Sequence, residues 1–240
     1  MLNIVVPMAG RGSRFAKEGY ADPKPLIPLG DKRMIEVVVN NLKPKCEHRF
    51  IFVCQQEHLD KYNYKNELER IAPGCEIIGI DGITEGAACT VMYSESLIDN
   101  DMPLMIANSD QWIDIDINDY LDYMQSEDLD GLIMTMKADD PKWSFAKINE
   151  AGLVTEVVEK KVVSDEATVG IYNYKRGSDF CRHVKKMIER NERSNGEFYV
   201  APVYTYMYEL DNSKIGVYNI GAEADGMYGL GCLLYTSDAA

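Results

Sequence analysis

The feature that most narrows the fold is an alternation. Over the first 130 residues, short apolar runs rich in β-branched residues trade places with stretches whose apolar positions recur at helical spacing. Strands are expected over 2–6, 50–54, 76–80, 103–107, 132–137, 154–158, 168–174 and 215–220. Helices are expected over 34–42, 57–71, 87–97, 117–124, 178–193 and 200–209. Met34, Val38 and Leu42 mark one stripe of the first helix. A strand–helix–strand rhythm feeds successive strands side by side through helical crossovers. The expectation is therefore an α/β protein, a Rossmann-like mixed, mostly parallel sheet with helices on both faces. From 131 to 174 strands outnumber helices, which suggests a mixed region laid over the sheet. No internal repeat or low-complexity linker interrupts the pattern.

Charge narrows the partners. The 240 residues carry a formal net charge of −14. Between Ile71 and Met136 there are fourteen Asp and Glu and no Lys or Arg. Between Arg11 and Arg33 six Lys and Arg face three acidic residues. An acidic chain with one basic segment is poorly suited to long nucleic acids and well suited to one small anion beside a divalent cation. No apolar run approaches the roughly twenty residues of a spanning helix. The chain begins on a strand-like Leu2-Asn3-Ile4-Val5-Val6 with no basic leader, so a cytosolic protein without membrane contact is expected. Six cysteines (Cys46, Cys54, Cys75, Cys89, Cys181 and Cys232) form no CxxC pair and are accompanied by three histidines. Reduced, packed thiols are expected rather than a zinc site or a disulfide framework.

The first strand runs into Pro7-Met8-Ala9-Gly10-Arg11-Gly12-Ser13-Arg14-Phe15. Glycines there let backbone N–H groups approach and face phosphate oxygens, and Arg14 adds a permanently charged fork. A dinucleotide-binding loop would need a third glycine where Phe15 stands, and a phosphate loop would need Gly-Lys-Ser/Thr. By itself, such a loop is equally a tight structural turn. Downstream, Asp22-Pro23-Lys24-Pro25-Leu26 brackets one lysine between two prolines. The prolines stiffen the backbone and hold the ammonium as a point charge.

Together, the Gly10–Gly12–Arg14 loop and the Pro23-Lys24-Pro25-Leu26 segment resemble the sugar nucleotidyltransferase superfamily, whose members share a GxGxRF or GxGxRL loop followed by PKPL. The likeness spans about residues 2–231, including glucose-1-phosphate thymidylyltransferase-like and phosphocholine cytidylyltransferase-like members. It implies the nucleotide-diphospho-sugar transferase fold. Met8, Ala9, Gly10, Arg11, Gly12 and Ser13 would then line the triphosphate, with Arg14 on it and Lys24 at the reacting phosphorus. Thr84-Glu85-Gly86-Ala87-Ala88 resembles the segment that meets the nucleobase, which implicates Glu85, Gly86 and Ala87. Asn108-Ser109-Asp110-Gln111 follows an apolar strand, where α/β folds place ligands. It resembles the GDN or ADN motif, with Asp110 as metal holder and Ser109 beside the nucleotide. Mg²⁺ is the implied cofactor.

For the acceptor, Glu159-Lys160 resembles the EKP segment, although Lys161 stands in place of its proline. The resemblance puts Glu159 on the acceptor hydroxyls and Lys160 on its phosphate. Gly170 and Tyr172 match the strand that closes the acceptor pocket, and Glu197 the GE segment. That segment runs over Asn195-Gly196-Glu197-Phe198, and the residues after it, Tyr199-Val200-Ala201-Pro202, depart from the usual pattern. So does Met227-Tyr228-Gly229-Leu230-Gly231, where Gly229 replaces a second metal-binding aspartate; Asp225 is the nearest carboxylate and Glu223 the next, and either could substitute. The implied activity joins a nucleoside triphosphate to a phosphorylated acceptor such as a sugar 1-phosphate, releasing pyrophosphate for surface-polysaccharide or related precursors. Alternatives stay open: a cytidylyltransferase with a non-sugar acceptor, a non-catalytic nucleotide-binding module, or a glycosyltransferase using Asp114-Ile115-Asp116 as a DxD pair. A homo-oligomer also stays open. Residues 1–231 are expected to form one nucleotidyltransferase domain, shortened at its C-terminus. Residues 232–240 resemble a translated sequencing adapter and are left out of the functional reading.

Overall fold

The computed structural model describes residues 1–10, 20 and 22–231. Its centre is an eleven-stranded sheet. Strands β1 (Leu2–Met8), β4 (His48–Gln55), β5 (Glu76–Ile80) and β6 (Leu104–Ala107) run parallel in the order β5-β4-β1-β6. Strand β11 (Glu166–Tyr174) then enters antiparallel, between β6 and β8 (Gly131–Lys137). Beyond β8 lie β12 (Ile215–Glu223), parallel to it, then β13 (Gly226–Gly229) and β7 (Gln111–Ile113). A side ribbon of β9 (Ser144–Ile148) and β10 (Val154–Glu159) hangs from β11. A two-stranded piece, β2 (Pro28–Leu29) with β3 (Lys32–Arg33), precedes the first helix described.

The apolar run at the start is continuous because both faces of the sheet are covered, as parallel sheets require. Strand alternation sends Leu2, Ile4, Val6 and Met8 into one core and Val5 into the other. Helices α1 (Met34–Leu42), α3 (Tyr64–Ile71) and α6 (Ile117–Ser126) cover the first face, through residues such as Val38, Leu68 and Tyr120. Helices α4 (Ala87–Met92), α7 (Gly177–Glu189) and α8 (Val203–Asp211) cover the second, through Val91, Phe180 and Tyr204. The fold expected from the alternation is the fold observed: a mixed, mostly parallel sheet with helices on both faces.

Two long helices expected from periodicity are broken. The stretch 57–71 divides into α2 (Gln56–Lys61) and α3, because Tyr62 turns extended (φ −112°, ψ 149°). The stretch 87–97 divides into α4 and α5 (Glu95–Ile98) at Ser94, which is buried and whose hydroxyl donates to Val91 O at 2.6 Å. A serine that bonds its own preceding turn competes with the helical ladder. The cysteines among the described residues carry no disulfide, and Cys46 is exposed rather than packed. No helix among the described residues is long and apolar enough to cross a membrane.

Candidate active site

The four parallel strands end side by side, at Met8, Gln55, Ile80 and Ala107. Loops beyond the carboxyl ends of parallel strands are where open α/β sheets place ligands. Gln55 gathers them: its Nε2 donates to Ala9 O and, at 2.7 Å, to Gly82 O. Met8 and Ala9 are buried, whereas Gly10 is exposed and has no atom within 4 Å of where a Cβ would stand. Arg11, Gly12, Ser13 and Arg14 lie outside the described residues.

Lys24 opens a 3-10 turn, Lys24–Leu26, in which Leu26 N donates to Pro23 O at 2.8 Å and Ile27 N to Lys24 O at 3.2 Å. Leu26 and Ile27 are buried, so the turn is pinned to the core. From it the Lys24 ammonium donates to Asp110 Oδ2, across 86 residues of sequence. The two side chains are 25% and 29% exposed, so solvent reaches the pair. Asp110 itself sits between β6 and β7, and its carbonyl accepts from Leu230 N at 2.8 Å. Ser109 beside it is half-buried.

Strand β11 joins this pair to a second cluster. Its pairing with β8 slips between Thr168 and Tyr172, and Gly170 sits in that bulge at φ +84°. Asn108 N donates to Gly170 O at 2.9 Å. A Cβ on Gly170 would stand 2.2 Å from Asn108 Nδ2 and 2.4 Å from Gln111 Oε1, so only glycine allows this approach. Tyr172 is buried, its hydroxyl 3.0 Å from Thr168 Oγ1, and burial pushes its phenol up.

At the end of β10, Ser144 Oγ donates to Glu159 Oε2. Burial pushes the Glu159 carboxyl up, against the lowering pull of Ser144 and Lys160, with Glu197 adding to the rise. Lys160 follows in the left-handed region (φ +54°), with its N–H on Trp143 O at 3.0 Å. Its ammonium donates to the Tyr199 hydroxyl at 3.1 Å and lies 5.3 Å from the centre of that ring. A raised carboxyl pKa favours the folded state below the ordinary glutamate range. The advantage is lost as pH rises through that range towards the folded pKa, so charged Glu159 is a liability at neutral pH. Glu159→Gln keeps the acceptor for Ser144 and removes the charge. Its melting temperature is expected to exceed that of the unmodified protein at pH 7, with the gap closing towards pH 4. An equal gap at both pH values in thermal melts would contradict this origin.

The remaining segment is strapped in place. Gly86, at φ +134°, precedes α4, and a Cβ there would stand 2.3 Å from Phe198 O. Phe198 N donates to Glu85 O at 2.8 Å, and Ala88 N donates to Phe198 O at 3.0 Å. The Glu85 carboxylate pairs with Arg193, whose guanidinium lies 4.1 Å from the centre of the Phe198 ring. Residues 193–199 thus tie the Glu85–Ala88 turn to the Glu159–Lys160 cluster.

Across the described chain, the family model described as "Nucleotidyl transferase" matches residues 4–203. The chain belongs to the nucleotidyl transferase family. No curated protein matches it by sequence. Solved structures do resemble this nucleotidyltransferase in fold. A nucleoside-diphosphate-sugar pyrophosphorylase from Vibrio cholerae RC9 is 22% identical, with 98% of each chain covered and a TM-score of 0.79. A UDP-glucose pyrophosphorylase complexed with UDP-glucose is 18% identical, covering 100% of this chain and 98% of the other, at 0.74. An inositol-1-phosphate CTP transferase from T. maritima is 14% identical, covering 93% and 89%, at 0.69.

One expected ligand needs correction. Asp225 lies at the far end of β13 from Gly229, the residue that pairs with Gln111 beside Asp110. Four residues of strand span roughly 13 Å. Asp225 is exposed in the turn before β13, with its backbone bonded to Ala222, and cannot share a small cation with Asp110. The DxD alternative fares no better: Asp116 caps α6, its side chain accepting from Asn118 N at 2.9 Å. Among the described residues no group of three or more His, Cys, Asp or Glu could hold a metal. Among the described residues, the donor set at Asp110 is a single, partly exposed carboxylate. That fits Mg²⁺, which binds one or two carboxylates and completes its shell with substrate phosphates and water, and does not fit an all-protein cage.

Gln55, Tyr199 and Arg193 take part in these contacts without having been named as site residues from the sequence, and Phe198 was reached only as the end of the segment resembling the GE motif. The departure from the family pattern after Phe198 pointed towards Tyr199.

Proposed function

We propose that this nucleotidyltransferase joins a nucleoside triphosphate to a small phosphorylated acceptor, a sugar 1-phosphate or a comparable phosphate ester, and releases pyrophosphate. The observation that carries the reading is the Lys24–Asp110 pair at the carboxyl ends of four parallel strands, linked by β11 to the Glu159–Lys160 cluster. The relatives named for UDP-glucose and inositol 1-phosphate support an acceptor of this size.

An acceptor phosphate oxygen attacks the α-phosphorus in line. The bond from that phosphorus to the bridging oxygen breaks, and pyrophosphate leaves with the electron pair. The attacking oxygen is already anionic, so no general base is required. The barrier is repulsion between polyanions and charge growing on the leaving group, and positioning plus electrostatics must lower it. Lys24 supplies a fixed positive charge at the α-phosphate; incoming phosphate oxygens compete with Asp110 for it and release a carboxylate oxygen. Mg²⁺ held there would neutralise phosphate charge and template the two substrates. The resemblance of the GxGxR loop assigns Arg14 to the departing pyrophosphate. Lys160 docks the acceptor phosphate, and Glu159 orients its hydroxyls.

The test is a pyrophosphate-release screen of four nucleoside triphosphates against sugar 1-phosphates, inositol 1-phosphate and phosphocholine. Release with at least one pair, abolished by chelating the divalent cation, is expected. Release that needs no phosphorylated acceptor, or that survives chelation, would overturn the reading.

A further inference from the structure

The segment after Phe198 departs from the family pattern, and the structure puts its first residue, Tyr199, in contact with the lysine that the proposed reaction assigns to the acceptor phosphate. We infer that Tyr199 is a positioning residue for Lys160: its hydroxyl and ring hold the ammonium at the acceptor subsite. The inference rests on the proposed function for what Lys160 binds, but not for how Lys160 is held.

Four observations converge on it. Lys160 Nζ donates to the Tyr199 hydroxyl at 3.1 Å. The same ammonium stands 5.3 Å from the ring centre, within the range of a cation–π contact. The lysine backbone is pinned in the left-handed region by its N–H on Trp143 O at 3.0 Å, so the stem leaves β10 in one direction. Tyr199 in turn follows Phe198, whose backbone is clamped on both sides of Gly86, so its ring has a fixed base.

The surroundings explain why a lysine here needs a guide. Glu159 and Glu197 both act on Lys160, and either carboxylate could pair with it and withdraw it from a phosphate. A tyrosine holds a cation without neutralising it: the phenol accepts one hydrogen bond, and the ring offers only its quadrupole. An arriving phosphate therefore meets an ammonium that is ordered but still fully charged. The entropy of fixing a long side chain is met before binding. The same strap carries Glu85 through Arg193 and Phe198, so the turn expected at the nucleobase and the lysine expected at the acceptor are positioned by one run of seven residues, 193–199.

The experiment reads Lys160 directly. Lysines of the full chain are reductively ¹³C-methylated, and the Lys160 resonance is assigned by its loss in Lys160→Arg. Ring current from Tyr199 should shift that resonance upfield. The shift should persist in Tyr199→Phe and vanish in Tyr199→Leu. Titration with glucose 1-phosphate, and separately with inorganic phosphate, should move the resonance. The apparent Kd is expected to weaken about tenfold in Tyr199→Leu and by less than about threefold in Tyr199→Phe. In turnover, Tyr199→Leu should raise the acceptor KM by a similar factor while kcat and the triphosphate KM stay within about twofold. In the Lys160→Ala background the Tyr199→Leu effect should disappear. An unshifted Lys160 resonance, an unchanged Kd in Tyr199→Leu, or additive losses in the double variant would each overturn the inference. Absence of pyrophosphate release by the unmodified chain would count against the proposed function alone, because the resonance shift and the phosphate titration would still decide the role of Tyr199.

Discussion

Lys24→Ala is expected to fold normally and to lose about a hundredfold in kcat, the usual effect of removing one preorganised charge contact, on the order of 3 kcal/mol. The stability half of the expectation follows from exposure. Both partners in the Lys24–Asp110 pair are more than a fifth exposed, and pairs of this kind contribute about 0–1 kcal/mol to stability. The turn that carries Lys24 is held by buried Leu26 and Ile27 and by Arg33, whose guanidinium donates to Leu26 O at 2.6 Å, so losing the ammonium does not release it. The catalytic half follows from geometry. Pro23 and Pro25 leave the lysine stem one direction of approach, and it ends on Asp110. Thermal melts and steady-state kinetics on the same preparation check both halves. A variant with full turnover would remove Lys24 from the mechanism. A variant that melts several degrees lower would show that the pair is structural.

Gly86→Ala should be among the more damaging single methyls in the described chain. At φ +134° and ψ 172° the backbone occupies a region almost reserved for glycine, which alone costs a side chain about 1–3 kcal/mol. The added Cβ would also stand 2.3 Å from Phe198 O and 2.6 Å from Phe198 N, both backbone atoms held by hydrogen bonds. Neither can rotate aside, so the strap or the start of α4 must move. A loss of about 3 kcal/mol or more is expected, or roughly 6–12 °C in melting temperature for a chain of this size. Gly82→Ala is the matched control: it too has positive φ (+71°), but a Cβ there has nothing within 4 Å. Its cost should stay near 1–2 kcal/mol. Equal losses for the two variants would show that the Phe198 contact contributes nothing. If the strap does serve both substrates, Gly86→Ala should also raise the KM for triphosphate and acceptor together.

Much of the fold was legible because its signals are local. Strands β1, β4, β5 and β6 appear as compact apolar runs, and α1 runs over 34–42 as the stripe of Met34, Val38 and Leu42 predicts. Short strands without a period were not legible. Gln111–Ile113 and Gly226–Gly229 are held by pairing with each other, the second also with β12. The divided helices show the same limit from the other side: periodicity ran on through Tyr62 and Ser94, where local backbone preferences and side-chain bonding ended the turns.

By itself the sequence determined the sheet-and-helix alternation and the stiff proline-bracketed lysine. Each depends on residues within a few positions of one another. Strand order and register decided the rest. They brought Lys24 to Asp110, inserted β11 between β6 and β8, laid Tyr199 against Lys160, and set Gly229 rather than Asp225 beside Gln111. Period and propensity say which way a side chain faces along its own strand; which distant residue it then meets depends on how strands pair across the sheet, and a register error of one position reverses every face.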